Sequence, residues 1–191
     1  MNTQPRCAKV LSMKTVVVLA MHGMPPVDFP KEELAEFFKL HSIIETGKSG
    51  DQEFLRERHA FLDNKIRKWP RDEHNDPFYA ASRELATHLR QKSGHEVVVG
   101  YNEFCAPSID EALQAAVDKN ANKIIVVTPM MTRGGSHTEK DIPAAIDRIR
   151  RLHPQIDIIY AWPFDTAEVA KFLSDQMSRF TSNRRSQHVA Q

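Results

Sequence analysis

The chain has 191 residues, 41% of them apolar and 27% charged, and a net charge of +1 with its histidines neutral. That length suits one domain with its own core, and near-neutrality excludes a global field for steering nucleic acid or another anionic partner. No stretch approaches the ~20 consecutive apolar residues of a transmembrane helix.

The two cysteines, Cys7 and Cys105, show neither a CxxC pair nor a Cys/His zinc spacing, so a disulfide or zinc scaffold is not indicated. Residues 1–13 are polar and irregular and read as a flexible segment. Basic Arg6, Lys9 and Lys14 precede the apolar run Val16–Met21 in the manner of a secretory leader. The run is short, however, and His22-Gly23 follows it without a small-residue cleavage pattern. A buried strand over 15–20 and a cytoplasmic protein are the expectation.

Leu34, Phe37, Phe38, His41 and Ile44 share one face of an expected helix from Phe29 to about Glu45. Gly47–Gly50 breaks it, and 52–68 predicts a second helix with Leu55, Leu62 and Ile66 in register. A charged loop follows to Asp76. Asn75-Asp76-Pro77 opens a helix that Gly94 ends. Residues 96–101 predict a second strand, and Ser108 with Glu111 forms a capping box for a helix to about Lys119. Residues 123–128 predict a third strand. After the loop 129–137 comes a helix to about Leu152, stopped by Pro154. A fourth strand is expected over 156–161 and a last helix from Thr166 to about Phe180. Residues 181–191 read as a basic tail.

Strands alternating with helices predict an α/β fold: an open, mostly parallel four-stranded sheet with helices on both faces, in a single domain spanning 1–191. The connection between the first two strands is about 75 residues, whereas a parallel crossover needs only a dozen or more. Residues 29–70 therefore read as a helical insertion, either surface decoration or a cover or contact for the site.

Ligands of open α/β sheets bind beyond the carboxyl ends of the strands. His22 follows the first strand, Glu103 the second and His137 the third. Two imidazoles and a carboxylate suit a borderline divalent ion with coordination positions left open. Imidazole is also the side-chain type suited to taking up or releasing a proton under physiological conditions. Gly23 and the pair Gly134-Gly135 permit tight turns beside the histidines, and the start of the helix after Ser136 favours an anion. Taken singly, each has a plainer reading: a capping histidine, a solvated carboxylate, an ordinary glycine turn. Convergence at one edge leaves both readings open. His41 and His59, on the insertion, are expected either as surface residues or as part of a lid.

Gly134-Gly135-Ser136-His137 with Asp141-Ile142-Pro143 resembles a signature of the sirohydrochlorin chelatases. Met21-His22-Gly23 is similar to that family's first motif, and Glu103 with Pro107-Ser108 to its acid-Pro-Ser block. The insertion, Met24-Pro25-Pro26 after His-Gly, and Ala106 depart from the family pattern. The resemblance implies a chelatase-like fold and a lyase that inserts cobalt, iron or nickel into sirohydrochlorin or a related tetrapyrrole. The divalent ion would be a substrate, and no organic cofactor would be needed. It implies that His22 and His137 are catalytic, that His22, Glu103 and His137 hold the ion, and that short members act as homodimers. On this reading His137 accepts a pyrrole proton, and Met130, Met131 and Phe104 press on the ring. Arg133, Gly134, Gly135, Ser136 and Lys140 would meet its carboxylates. No nucleic-acid or membrane partner is expected. The alternatives are a non-catalytic metal or tetrapyrrole carrier, a phosphate-binding α/β hydrolase using the Gly134-Gly135-Ser136 loop, and an interaction module acting through the insertion.

Overall fold

The computed structural model describes residues 13–46 and 52–188, with side chains through Thr181. Most of the segment 1–13, and the side chains of nearly all of 181–191, thus lie outside the described residues. Strand β1 (Thr15–Met21) is followed by helices α1 (Lys31–Thr46), α2 (Gln52–Arg67) and α3 (Pro77–Ser93). Then come β2 (Glu96–Tyr101), α4 (Ile109–Asp118), β3 (Lys123–Val127), α5 (Ile142–Leu152), β4 (Asp157–Tyr160) and α6 (Thr166–His188). The strands form one sheet in the order β2-β1-β3-β4, every pairing parallel. The expected fold class is the one observed.

The apolar run of β1 explains its central place. Val16 through Met21 are each no more than 5% exposed. Val16, Val18 and Ala20 point into a core built with Ile109 and Leu113 of α4 and Ile142 and Ile146 of α5. Leu19 and Met21 point to the opposite face, with Ala86 of α3 and Tyr101 of β2. Side chains alternate along a strand, so a strand covered on both sides has no polar position to spare. A Cβ on Gly100 would lie 2.6 Å from the Ala112 Cβ, so glycine there lets α4 sit close on β2.

Local signals read as expected at several ends. Asp76 accepts from the Tyr79 N–H to cap α3, Gly94 (φ 70°) closes it, and the Ser108–Glu111 capping box opens α4. Two boundaries differ. The helix expected from His137 begins instead as a π-helical turn, His137–Asp141, in which the Ile142 N–H donates to the His137 carbonyl. Pro143 has no N–H for the Glu139 carbonyl, which interrupts the α-helical ladder at the same place. The last helix passes Phe180 and reaches His188, because no glycine or proline interrupts 166–188.

Helices α1 and α2 pack on each other around Phe37, Leu40, Leu62 and Ile66, with Phe29 and Phe104 completing the cluster. Arg58 pairs with Glu36, and Lys65 with Glu33, across the two helices. Phe104 comes from the loop after β2 and carries a left-handed backbone (φ 58°), so the pair is fastened to the carboxyl edge of the sheet. Among the described residues no helix is long and apolar enough to cross a membrane.

Candidate metal centre

The parallel register sets Met21 beside Tyr101. Backbone pairing continues past both strands: the Asn102 N–H donates to the Met21 carbonyl and the Glu103 N–H to the His22 carbonyl, each at 2.9 Å. His22 and Glu103 are thereby aligned by main-chain bonds before their side chains are considered. Gly23 turns away at φ 104°, and a Cβ there would lie 1.8 Å from the Glu103 carbonyl oxygen. Only glycine permits that approach. His137 arrives from the far side, at the start of the π turn after β3. The Tyr160 hydroxyl of β4 donates to the Thr138 carbonyl (3.1 Å) and pins this turn. Burial pushes that hydroxyl up to about 12, so it stays a donor.

The two imidazoles meet edge to face, centroids 4.7 Å apart and planes at 81°. His22 Nε2 is 3.9 Å, and His137 Nε2 3.8 Å, from the same Glu103 oxygen, Oε2. One ligand atom from each of the three residues lies within 4.8 Å of the others. Atoms bound to one ion at about 2.1 Å stand at most ~4.2 Å apart, so small side-chain rotations close the set. Each other ring nitrogen is already engaged. His22 Nδ1 donates to the Gly23 carbonyl (2.6 Å), and His137 Nδ1 to the Asp141 carboxylate (2.7 Å). A carbonyl only accepts, so Nδ1 of His22 is the donor, and its Nε2 is the nitrogen that faces Glu103. Asp141 imposes the same tautomer on His137. Such outer partners orient metal-binding imidazoles and raise their basicity. The side chains of His22, Glu103 and His137 are 41%, 34% and 19% exposed, which leaves room for further ligands.

The site opens into a cavity of about 520 Å³. Glu103, Ser136, His137 and Asp141 line it from the sheet edge, and His41 and His59 from the helical pair. The expected residues thus divide. His22, Glu103 and His137 converge, and Ser136 faces the cavity. Met131, Arg133, Gly134 and Gly135 do not line it. Arg133 is directed toward Glu139 (4.0 Å), and the Gly134 N–H donates to the same carboxylate (3.3 Å). Phe104 does not press on a ligand: it is 6% exposed, inside the helical-pair core. Met130 packs against the main core.

Several residues escaped the sequence reading. Asp141 orients His137 from four positions on, a spacing visible in the sequence once His137 is placed on a helical turn. Arg67 gave no such signal, having the look of a solvated helix charge beside Asp63. In fact it donates to the carbonyls of Asn102 and Cys105, both at 3.0 Å. Arg71, from the charged loop, donates to the Met24 and Ile66 carbonyls, to the Phe104 carbonyl and to Asp76. Arg71 and Asp76 are 4% and 1% exposed. The two arginines bracket Glu103 from both sides along the chain. The Cys105 thiol, close behind, is pushed up by burial and stays protonated.

A parallel α/β sheet carrying two oriented imidazoles and a carboxylate at its carboxyl edge defines an α/β protein whose three convergent groups could hold a metal ion. The chain belongs to the CbiX family, whose sequence model matches residues 73–179. It is similar to a sirohydrochlorin ferrochelatase of Priestia megaterium, 29% identical over 70 residues, which are 37% of this chain and 26% of the relative. It is also similar to a sirohydrochlorin cobaltochelatase of Methanopyrus kandleri, 36% identical over 75 residues, 39% of this chain and 49% of that one. The chain thus spans less than half of either of these curated relatives. Among solved structures it resembles a CbiX protein from Marinobacter aquaeolei at 17% identity and TM-score 0.49, covering 88% of this chain and 98% of that one. It also resembles the sirohydrochlorin chelatase SirB from Bacillus subtilis in complex with cobalt, at 19% identity and TM-score 0.43, covering 87% and 51%.

Proposed function

We propose that this protein is a lyase that inserts a divalent metal ion into sirohydrochlorin or a closely related tetrapyrrole. The observation that carries this reading is the pair of Nε2 atoms turned toward one Glu103 oxygen at the mouth of a cavity. The curated relatives, named for cobalt or iron insertion into sirohydrochlorin, support it. The ion is a substrate here, so it must be held by few ligands and released. His22, Glu103 and His137 supply three, leaving positions for water and then for ring nitrogens. This donor set accepts Co²⁺, Fe²⁺ and Ni²⁺ alike, and the reaction requires no organic cofactor. As the ion passes to the ring, His137 regains its Nε2 lone pair and can take up a proton, with Asp141 stabilising the imidazolium. Ser136, which lines the cavity, would meet the ring periphery.

The chain acts as one unit, with the helical pair as the second wall of the cavity. Pairing of two copies is supported by α6, on which Phe172, Leu173, Met177 and Phe180 are 53–68% exposed and follow helical spacing. Light scattering of the wild type and of Phe172→Glu checks this, with a dimer becoming a monomer.

The direct test follows the absorbance change when Co²⁺ or Fe²⁺ is added anaerobically to sirohydrochlorin with the protein. Turnover should exceed background and fall to it in His22→Ala and His137→Ala. Full rates in both variants sink the assignment. Saturable ring binding without metallation marks a carrier instead.

A further inference from the structure

Inserting M²⁺ into a free-base tetrapyrrole releases two protons, and these need bases. The two ring nitrogens that carry no hydrogen can receive the ion first. The two N–H nitrogens can join only after each N–H bond breaks, leaving its electron pair on nitrogen as the new donor to the metal. At that moment the Nε2 lone pairs of His22 and His137 are engaged with the ion, and their Nδ1 atoms are already donating to Gly23 and Asp141. The ion pulls its nitrogens toward one face of the ring, so the N–H bonds tilt to the other. The first proton therefore calls for a free lone pair on the wall opposite the metal ligands.

The helical pair places an imidazole on that side of the cavity. His59 lines the same cavity as Glu103 and His137, and its Nε2 is buried with no hydrogen-bond partner. Its ring is fixed by stacking on Phe37, at 4.5 Å between centroids, and by His41 at 5.4 Å. Resting on the proposed metal insertion, we propose that His59 is a second catalytic base, accepting on its Nε2 the first pyrrole proton from the ring face turned away from the ion. The imidazolium so formed passes its proton to water before the next cycle. The charged groups around it are His41 on α1, Asp63 and Arg67 on its own helix, Glu103 on the β2–α4 loop, and His137 and Asp141 on the π turn. Burial, followed by the charge of His41, lowers the His59 pKa against the opposing pull of Asp63. The ring is thus neutral and ready to accept at pH 7. The helical pair becomes part of the reaction rather than a cover.

The test uses His59→Gln and His59→Phe in the full chain, the second keeping an aromatic ring on Phe37. Co²⁺ binding alone, followed by its visible absorption, should stay within twofold of wild type in both, which shows an intact metal centre. Metallation of sirohydrochlorin at saturating ring should fall about 100-fold, in keeping with loss of a general base. The wild-type rise of rate with pH, centred below the ordinary histidine value of about 6.5, should vanish from the variants. Added imidazole should restore part of the rate in His59→Gln. Variants within threefold of wild type overturn this role alone. A loss that keeps the wild-type pH rise and resists imidazole also overturns it, since that is a loss of shape. A wild type that binds Co²⁺ but never metallates the ring overturns both this role and the proposed function.

Discussion

At residue scale the proposed metal site depends on groups that would not themselves touch the ion. Asp141 holds His137 by Nδ1 and so decides which nitrogen is free. Asp141→Ala should weaken Co²⁺ binding by about 10- to 100-fold while leaving the fold intact, as read by cobalt titration and circular dichroism. An unchanged affinity would mean that His137 is oriented by its turn alone. Gly23 acts through space it leaves empty. Gly23→Ala sets a Cβ against the Glu103 carbonyl at a backbone angle that L-residues avoid. The expected outcome is a lower melting temperature together with loss of Co²⁺ binding, because the clash falls on the peptide that carries a ligand. Wild-type affinity in a folded Gly23→Ala protein would show that the loop has slack.

At the scale of elements, the helical pair and the sheet edge are joined by two arginines and one phenylalanine. The Arg71–Asp76 pair is the most deeply buried of these links. Arg71→Met strands the Asp76 carboxylate and frees the Phe104 carbonyl, which should cost about 3–5 kcal/mol in urea unfolding. Adding Asp76→Asn should recover part of that loss. Equal stability of wild type and Arg71→Met would show that water replaces the guanidinium. The α1–α2 contact carries its own pH dependence. His59 has a folded pKa below its unfolded value, so the unfolded chain binds the proton first as pH falls. Wild type should therefore lose melting temperature relative to His59→Phe as pH drops below about 6.5, and the gap should stop widening once the folded ring is itself protonated. A gap that stays constant with pH would place His59 in water.

For the molecule as a whole, legibility in the sequence followed distance along the chain. The β1 run, the Ser108 capping box and the Asp76-Pro77 helix start depend on neighbours, and so could be read. His22, Glu103 and His137 could be read because parallel strands deliver their successors to one edge. Arg67 and Arg71 could not: a guanidinium aimed at carbonyls 33 to 38 positions away looks like any solvated cation. The bond from the Gly134 N–H to Glu139 could not be read either, because it depends on how the loop turns back on the start of the helix. The three proposed ligands also span the chain widely, His22 and His137 lying 115 positions apart on the loops after β1 and β3. A bound ion is therefore a removable cross-link over most of the fold. At a hundredfold excess over its dissociation constant it should add about 2.7 kcal/mol, seen as a rise in melting temperature with Co²⁺ that His137→Ala abolishes. Since the proposed reaction carries that ion away, each turnover would loosen the clasp holding β1 to β3, and the protein would be at its softest just as the metallated ring must leave.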